Sequence, residues 1–249
     1  MARLTGKVAA VSGASKGIGA AVAEKLAADG AAVVVNYSSS AKEAEAVVAR
    51  IKAAGGKSKA IHANVSNAAG AKKLIEATVA EFGRIDILVN NAGVYEFVPL
   101  PEVSEEHFDR LFNINVKGLL FATQAAANAF DGRGGTVINI SSMASLGAAP
   151  NSSVYSATKA AVDSVTRTLA AELGPRKILV NSILPGPVAT EGFKAMPQSN
   201  DFAAAMVPQT PLGRIGQPQD IAGVVSFLAS DEAGWITGQI IPVAGGLRI

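Results

Sequence analysis

The sequence predicts an α/β fold in which a doubly wound parallel sheet carries helices on both faces. Short apolar runs rich in β-branched residues alternate with longer segments of helical period, and the apolar runs lack a two-residue alternation. Strands and helices in strict alternation require crossover connections, which give parallel strands. Strands without alternation are typical of a sheet buried on both faces. We therefore expect one domain over residues 1–249.

The elements follow one another along the chain with recognisable ends. Glycines stand where C-caps should close four helices, at Gly30, Gly55, Gly83 and Gly174. The apolar runs predict strands at Val8–Val11, Ala32–Val35, Ile85–Val89, Thr136–Ile140, Ile178–Ile183 and Ile240–Val243. The periodic segments predict helices at Ala20–Ala28, Ala41–Ala53, Ala68–Phe82, Glu105–Phe130, Tyr155–Leu173 and Asp220–Ala229. The irregular stretch at about 191–216 is interpreted as a substrate loop.

Composition excludes several classes of protein. The chain has 49% hydrophobic and 17% charged residues, and its 22 basic and 20 acidic residues are spread along it, so neither nucleic acid nor membrane is an expected partner. Because cysteine is absent, disulfides, thiolate metal sites and a cysteine nucleophile are excluded. His62 and His107 lack metal-ligand spacing, so no metal is expected. With no signal-like or membrane-spanning run, we expect a cytoplasmic protein.

A glycine-rich turn lies between the first predicted strand and the first helix. It reads Ser-Gly-Ala-Ser-Lys-Gly-Ile-Gly over residues 12–19, with glycines at Gly13, Gly17 and Gly19. Missing Cβ atoms let the backbone turn tightly and approach a pyrophosphate, and the helix N-terminus offers free N–H groups. The alternative is a turn that only packs helix against strand. The strand-turn-helix context favours a Rossmann-type dinucleotide site.

Tyr155 and Lys159 form the second chemical pattern. A spacing of four residues places the phenol and the ammonium on one helix face, one turn apart. A phenol with a pKa near ~10 is a poor acid or base at neutral pH, and a nearby cation stabilises the phenolate. An isolated pair of this kind is usually an exposed pair without a role. Ser142, however, ends the strand Thr136–Ile140 at the ligand-binding edge of the sheet, where its hydroxyl can polarise a carbonyl.

These motifs resemble the short-chain dehydrogenase/reductase family from Lys7 to nearly the C-terminus. The glycine turn, NNAG at 90–93, NVKG at 115–118, Ser142 thirteen residues before Tyr155, and NSILPGPVAT at 181–190 occur in the family's order and spacing. Asn64 and Ala244 depart from the pattern, because the family often has Asp at both positions. The resemblance implies a nicotinamide-dependent oxidoreductase that interconverts a carbonyl and an alcohol.

The resemblance also implies roles for individual residues. Tyr155 is the proton-transfer residue, Lys159 lowers its pKa and binds the nicotinamide ribose, Ser142 orients the substrate oxygen, and Asn115 holds a water of the proton relay. The cofactor-binding residues, which include that tyrosine and lysine, are Gly13, Ser15, Lys16, Gly17, Ile18, Gly19, Asn36, Tyr37, Ser38, Asn64, Val65, Asn91, Ala92, Gly93, Tyr155, Lys159, Pro185, Gly186, Val188 and Thr190.

Cofactor choice follows from charge at the end of the second strand. An acidic residue there would bind a ribose 2′-hydroxyl and repel a 2′-phosphate. The segment reads Val-Asn-Tyr-Ser over residues 35–38, without an acid. Asn36 and Ser38 can donate to phosphate oxygens, and the resemblance places Lys16 near the adenosine ribose. NADP(H) is therefore favoured over NAD(H), although a site that accepts both remains an alternative.

The substrate pattern is weaker and predicts a fairly apolar ketone. Its candidate wall comprises Tyr95, Phe97, Leu146, Phe193, Met196, Phe202 and Met206, beside Ser142 and Tyr155. Several of these side chains could instead pack the loop onto the domain. Arg133 and Arg176 leave open a 3-oxoacyl-[acyl-carrier-protein] reductase, and the polar Asn151 and Ser153 leave open a sugar or polyol dehydrogenase.

Two other expectations concern class and assembly. A non-catalytic NADP(H)-binding sensor is the alternative from another class, but the retained Tyr155, Lys159 and Ser142 favour an enzyme. A homotetramer is expected from small residues on two helices and from the apolar segment Trp235–Ile249. The small residues are Ala157, Ala161, Ser164 and Thr168 on one helix and Ala122, Ala125, Ala126 and Ala129 on the other.

Overall fold

The computed structural model describes residues 2–147, 149–195 and 199–247. Within them, parallel strands form one sheet in the order β3-β2-β1-β4-β5-β6-β7. The strands are β1 (Val8–Val11), β2 (Ala32–Tyr37), β3 (Lys57–His62), β4 (Ile87–Asn90), β5 (Gly135–Ile140), β6 (Ile178–Pro185) and β7 (Ile240–Val243). This strand order is that of the doubly wound Rossmann architecture, so the predicted fold class is confirmed.

Helices cover both faces of the sheet. One apolar core packs α1, α2 and α9 against it, and a second packs α3, α5 and α6 against the other face. The helices are α1 (Gly17–Ala28), α2 (Ala41–Ala53), α3 (Ala68–Phe82), α4 (Glu105–Phe112), α5 (Gly118–Ala129), α6 (Ser153–Leu173), α7 (Glu191–Lys194), α8 (Ser199–Met206) and α9 (Pro218–Leu228). The region at 191–216, predicted as irregular, thus contains two short helices.

Strand β3 was not predicted. Its sequence is KSKAIH, both of its lysines are exposed, and it pairs with β2 alone at the edge of the sheet. Edge strands need only one paired side and tolerate lysine, so the apolar run that marks an internal strand is missing. The predicted strand at residues 85–89 begins two residues later than expected, at Ile87.

One predicted helix is wrong, and one predicted C-cap, Gly174, is confirmed in position but differs in conformation. The segment Glu105–Phe130 is not one regular helix, because a π-helical turn at Asn113–Lys117 separates α4 from α5. Such turns insert one residue and are frequent at functional sites. Gly174 adopts a right-handed conformation and opens a 3₁₀ turn, so it does not close α6 in the left-handed form, whereas Gly83 does so for α3 with φ of 78°.

The small-residue face predicted for α5 is also partly wrong. Ala122 and Ala126 lie in the chain's own core, at 1% and 0% exposure. On α6, by contrast, Ala157, Ser164 and Thr168 are exposed. Of the predicted small residues on α5, only Ala125 and Ala129 remain partly accessible, so the α6 part of the proposed contact is the more exposed one.

The sheet order reverses between β1 and β4, which are neighbours although two strands separate them in sequence. Open α/β sheets bind ligands at such a switch point, beyond the carboxyl ends of the strands. The segments that leave β1, β4, β5 and β6 carry the residues singled out by sequence. None of the helices in the described part of the chain is long and apolar enough to cross a membrane.

Candidate active site

The glycine turn is fixed to the end of β4 by a compact set of hydrogen bonds. Asn91 Nδ2 donates to the carbonyl oxygens of Ser12 and Gly13, each at 2.9 Å. Ser12 Oγ accepts from the backbone N–H groups of Asn91 and Ala92, each at 3.0 Å. Ser12 is 2% exposed, so these bonds are shielded from water. The loop and the NNAG segment therefore form one rigid floor at the switch point.

The N-terminus of α1 already holds an anionic group. Gly17 N–H donates to Glu191 Oε2 at 2.9 Å, and a Cβ on Gly17 would lie 3.3 Å from Thr190 Cγ2. On Gly19, a Cβ would lie 2.4 Å from Asn91 Nδ2. A helix N-terminus that binds a carboxylate, on glycines with no room for a side chain, fits a pyrophosphate group. The residues present therefore fit a dinucleotide.

Asn36 has a different role from the one predicted. Its side chain is 1% exposed; Oδ1 accepts from Gly13 N–H at 3.1 Å, and Nδ2 donates to the carbonyl oxygens of Ile61 and Ala63 at 3.2 and 3.0 Å. With both kinds of group engaged inside the fold, Asn36 has no free donor for a phosphate. The prediction that it contacts the 2′-phosphate is wrong, and its contacts instead shape the glycine turn.

The remaining residues at the adenosine side differ in exposure. Lys16 and Ser38 are exposed, while Ser15 and Ile18 are partly buried. Tyr37 stacks at a tilt on His62, with 5.4 Å between ring centroids. Asn64 is exposed and its Oδ1 accepts from Ser66 N–H, whereas Val65 is 7% exposed. Lys16, Ser38 and Asn64 are thus polar side chains here that solvent or a ligand can reach.

The catalytic candidates come together at the start of α6. Tyr155 shares a hydrogen bond with Ser142, and the Lys159 Nζ lies 5.7 Å from the centroid of the Tyr155 ring. Lys159 is 6% exposed, and its Nζ donates to the Ile140 carbonyl at 3.0 Å. Ser142 Oγ accepts from Ala144 N–H at 3.1 Å, which leaves its own proton available to another acceptor.

The pKa values of Tyr155 and Lys159 differ from those expected from their spacing alone. Burial raises the pKa of Tyr155, the hydrogen bond with Ser142 lowers it, and the net effect is upward. Burial lowers the pKa of Lys159 to about 8, against the charge of Asp163. The net direction of the Tyr155 pKa shift is therefore opposite to the one expected from Lys159 alone, because burial dominates. A phenol held protonated at neutral pH is a proton donor, which suits reduction of a carbonyl.

Asn115 sits in the π-helical turn and is 2% exposed. Its Oδ1 accepts from Val94 N–H at 2.9 Å, while Nδ2 donates to the Val94 carbonyl and to Thr158 Oγ1 at 2.9 and 3.0 Å. Both donors are used inside the fold, so the side chain can hold a relay water only through a second lone pair of Oδ1. Its visible contacts tie the segment after β4 to α6.

Aromatic side chains surround the phenol. The rings of Tyr95 and Phe97 each stand edge-on to Tyr155, with centroids 6.3 Å apart. Tyr95 also shares a hydrogen bond with Thr190, which connects this wall to the segment after β6. Glu96 stands between these two residues in the sequence; it accepts a hydrogen bond from Arg110 and contacts His107. These contacts with α4 hold the segment in place.

The structure brings only some of the predicted substrate residues together. Leu146 is 59% exposed at the rim, and Phe193 packs against Phe202 with 6.0 Å between centroids. Met196 lies outside the described residues. Arg133 and Arg176 precede the amino ends of β5 and β6, at the edge opposite Ser142. Within the chain, these two arginines therefore do not line the site.

The segment after β6 completes the site. Pro185 ends the strand, a Cβ on Gly186 would lie 2.9 Å from the Ala244 Cβ, and Val188 is 7% exposed. Thr190 Oγ1 accepts from Phe193 N–H at 3.1 Å and so caps α7. Gly93 follows β4, and a Cβ there would lie 3.3 Å from Asn115 Oδ1 and 3.6 Å from the Lys159 Nζ, so a side chain would crowd both polar groups.

Sequence reasoning missed Glu191, Ser12, Thr158 and Asp163. The contact between Glu191 and Gly17 joins residues 174 positions apart, and no local pattern signals it. Asp163 stands one turn beyond Lys159, so its spacing was a usable signal.

The chain is similar to known proteins over most or all of its length. A family model described as enoyl-(acyl carrier protein) reductase matches residues 13–248. An uncharacterized oxidoreductase of Methylorubrum extorquens is 57% identical over 100% of both chains. A versicolorin reductase of Emericella nidulans is 41% identical, with 98% of this chain and 96% of that protein covered.

Solved structures agree in fold. A short-chain dehydrogenase/reductase from Serratia marcescens has a TM-score of 0.93 and 40% identity, covering 99% of this chain and 100% of that one. A 7α-hydroxysteroid dehydrogenase complexed with NADH and 7-oxo-glycochenodeoxycholic acid has a TM-score of 0.93 and 35% identity, covering 99% and 97%.

Proposed function

Because this chain belongs to the short-chain dehydrogenase/reductase family, we propose that it is an NADP(H)-dependent ketoreductase acting on a fairly apolar ketone and its secondary alcohol. The observation that carries the proposal is the group formed by the Tyr155 phenol, its Ser142 partner and the buried Lys159 ammonium. A nicotinamide cofactor supplies the hydride when bound. The chain's own residues supply position, charge and the proton.

The proton step assigns one task to each side chain. Tyr155 donates its phenolic proton to the substrate oxygen during reduction, and its raised pKa keeps that proton in place at neutral pH. Ser142, which contacts the phenol without substrate, donates its hydroxyl proton to the same substrate oxygen and orients it. Lys159 stabilises the phenolate left behind, and Asn115 fixes the backbone beside it. In oxidation, the phenolate takes the proton back.

NADP(H) is favoured by the charges around the end of β2. No acidic side chain is present in the segment Asn36–Ser38, while Lys16 and Ser38 are exposed there. A carboxylate at Ser38 would repel a 2′-phosphate, so Ser38→Asp should raise KM for NADPH at least about 10-fold and leave KM for NADH within about 3-fold. A wild type that already prefers NADH would contradict the cofactor assignment. The NADH in the hydroxysteroid dehydrogenase structure makes this measurement necessary.

The aromatic wall favours an apolar, extended ketone. Tyr95 and Phe97 stand edge-on to Tyr155, and Leu146 and Phe193 offer further apolar surface. One relative is, by its name, a reductase of versicolorin. A 3-oxoacyl-[acyl-carrier-protein] reductase is the second candidate; the description of the family model names a different reductase of acyl-carrier-protein substrates, an enoyl reductase, and so supports only the carrier-linked class of substrate. The polar Asn151 keeps a sugar or polyol dehydrogenase as the third.

The experiment combines binding and turnover. NADPH fluorescence measures cofactor binding, and a panel of aryl ketones, short aliphatic ketones, acyl thioesters and polyols measures oxidation or formation of NADPH. The proposal expects the highest kcat/KM on aryl or long aliphatic ketones. Binding without turnover on any carbonyl would instead identify a non-catalytic sensor, and preference for a thioester or a polyol would identify the second or third candidate.

We propose a homotetramer in the cytoplasm as the working form. Small exposed residues on α6 permit close helix packing, and Trp235 is 99% exposed beside the last strand, where a partner would cover it. The absence of cysteine suits a reducing compartment. Light scattering coupled to size exclusion tests the assembly: a monomer mass would refute both contacts, and a dimer mass would retain one.

A further inference from the structure

The buried face of α6 carries a row of polar side chains, one for each turn of the helix. Each of them meets a group on or next to the sheet. The pairs are Tyr155 with Ser142, Lys159 with the Ile140 carbonyl, Asp163 with Ser182, and Thr166 with Asn139. Asp163 is the only acidic residue of this row, and the proposed catalytic roles do not use it.

The Asp163 carboxylate is buried, and its one hydrogen bond does not offset the cost of removing its charge from water. Asp163 is 4% exposed, and its Oδ1 accepts one hydrogen bond, from Ser182 Oγ at 3.1 Å; Ser182 is 0% exposed. A buried carboxylate is costly unless a charge of opposite sign lies near it. One neutral hydroxyl does not supply such a charge. The position of Asp163 therefore calls for a nearby cation.

Lys159 is the cation that the helix places beside it. The two residues are four apart in α6, so their Cβ atoms are about 5–6 Å apart on one helix face. Lys159 is likewise buried, at 6% exposure, and its Nζ donates to a backbone carbonyl rather than to a carboxylate. Burial lowers the pKa of Lys159, and the charge of Asp163 raises it.

We propose that Asp163 is a positioning residue that supplies the counter-charge for the Lys159 ammonium through the interior of the α6–sheet interface. The catalytic meaning of this pairing rests on the proposed function, in which a charged Lys159 stabilises the phenolate. Ser182 orients the carboxylate towards β6 and keeps it from rotating. Asp163 thus acts on the reaction through Lys159 and touches no reacting atom.

Few other groups can set the charge of Lys159. Among the described residues, the groups that contact Lys159 or affect its charge are the Ile140 carbonyl, Ser141, the Tyr155 ring and Asp163. Only Tyr155 and Asp163 of these titrate, and the phenol is protonated at neutral pH. Removing the Asp163 charge therefore leaves the Lys159 ammonium without a buried anion.

The charge of Asp163 determines the direction in which its removal shifts the protonation of Lys159. Without the neighbouring negative charge, the ammonium loses its proton at a lower pH. Lys159 should then be neutral over part of the range in which the wild type keeps it charged. Activity that depends on this charge should accordingly fall at a lower pH in Asp163→Asn than in the wild type.

The test follows Lys159 directly. The chain is labelled with ¹³Cε-lysine, the Lys159 signal is assigned from its loss in Lys159→Arg, and its titration is recorded by NMR without cofactor. Asp163→Asn should lower the titration midpoint by about one pH unit. Ser182→Ala, which removes the hydroxyl and keeps the carboxylate, should leave the midpoint within about 0.3 unit. Equal midpoints in Asp163→Asn and the wild type would overturn the proposal.

A second variant and a kinetic measurement distinguish failure of the Asp163–Lys159 pairing from failure of the proposed function. If Asp163→Asn does not fold, Asp163→Glu keeps the charge and should retain the wild-type midpoint; a fall of about one pH unit there would equally overturn the pairing. The alkaline limb of kcat/KM should move with the NMR midpoint. If no carbonyl is reduced, the proposed function fails, and the NMR titration still decides the pairing of Asp163 with Lys159.

Discussion

The carboxyl end of the sheet and the segment at 191–216 are held by different kinds of contact. Ser12, Asn115, Ser141 and Lys159, at the sheet edge, are between 2% and 6% exposed and hydrogen-bonded to neighbouring elements. In the segment, Phe202 and Leu212 expose 38% and 69% of their surface. In the proposed function, chemistry thus depends on buried polar contacts, whereas substrate choice depends on apolar side chains at the surface.

This difference predicts where substitutions will be costly. Buried polar groups lose a great deal when a partner is removed, because the remaining groups cannot turn to water. Exposed apolar groups lose little stability, since they are already in contact with water. Substitutions at the sheet edge should therefore damage folding or cofactor binding, and substitutions in the segment should change affinity by small factors.

The largest effect is expected for Asn36→Asp. The introduced carboxyl group would face the carbonyl oxygens of Ile61 and Ala63, which now accept from Asn36 Nδ2. An unpaired buried charge of this kind should lower the free energy of unfolding by about 3 kcal/mol or more. Urea unfolding measures this change.

The same variant has a defined pH dependence. Burial beside carbonyl oxygens raises the pKa of the introduced carboxyl group in the folded state. The loss of stability should therefore be small at low pH, where the group is protonated, and should grow as pH rises through that pKa. Ser38→Asp is the control, because Ser38 is exposed and should keep wild-type stability. Equal stability of the two variants would contradict the assigned role of Asn36.

Gly19→Ala should have the next largest effect. A Cβ there would lie 2.4 Å from Asn91 Nδ2 and 2.6 Å from the Gly13 carbonyl oxygen, so the floor of the cofactor site must shift. We expect a loss of about 2 kcal/mol in stability and weaker NADPH binding. Gly223→Ala in α9 meets no atom within 4 Å and should gain up to about 1 kcal/mol through helix propensity. A stable Gly19→Ala variant with normal NADPH affinity would contradict this account.

Glu191→Gln tests the contact between the segment at 191–216 and the glycine turn at the carboxyl end of the sheet. The carboxylate of Glu191 accepts from Gly17 N–H, the group assigned to the cofactor pyrophosphate. Removing a like charge from that position should tighten NADPH binding about 3-fold to 10-fold. Glu76→Gln makes the same change of charge on α3, where Glu76 pairs with Lys72, and should leave affinity unchanged. Weaker binding by Glu191→Gln would mean that the carboxylate supports the cofactor.

The smallest effect is expected for Phe202→Ala. Phe202 contacts Phe193 edge-on and is partly exposed, so stability should fall by at most about 1 kcal/mol. KM for an aryl ketone should rise about 2-fold to 5-fold, with kcat nearly unchanged, because the lost contact is uniform binding. KM for a short aliphatic ketone serves as the internal control and should not move. A large fall in kcat would place Phe202 in the catalytic group.

The difference between local sequence patterns and long-range contacts explains which features could be predicted from the sequence. The strands β1 and β7 carry continuous apolar runs, and the spacing of Tyr155 and Lys159 is local, so both were predictable from short windows. Strand β3 was missed because an edge strand with two lysines has no such run. The π-helical turn was missed because it adds one residue without changing the apolar pattern.

Long-range hydrogen bonds account for the other differences. The residue type of Asn36 suggested a phosphate donor, but its partners Gly13, Ile61 and Ala63 lie 23 to 27 positions away in sequence. A polar residue at a strand end has the same local pattern whether it faces a ligand or a neighbouring backbone. Only the fold decides between these two environments.

The most direct test of the account is Tyr155→Phe, assayed for turnover and for NADPH binding in the same preparation. The substitution removes the phenolic proton and keeps the ring that packs against Tyr95 and Phe97. We predict that kcat for the best ketone falls at least about 100-fold, as expected for loss of a general acid. NADPH affinity and thermal stability should stay close to those of the wild type. Retention of more than about a tenth of the wild-type kcat would contradict the assignment of Tyr155 as the proton donor.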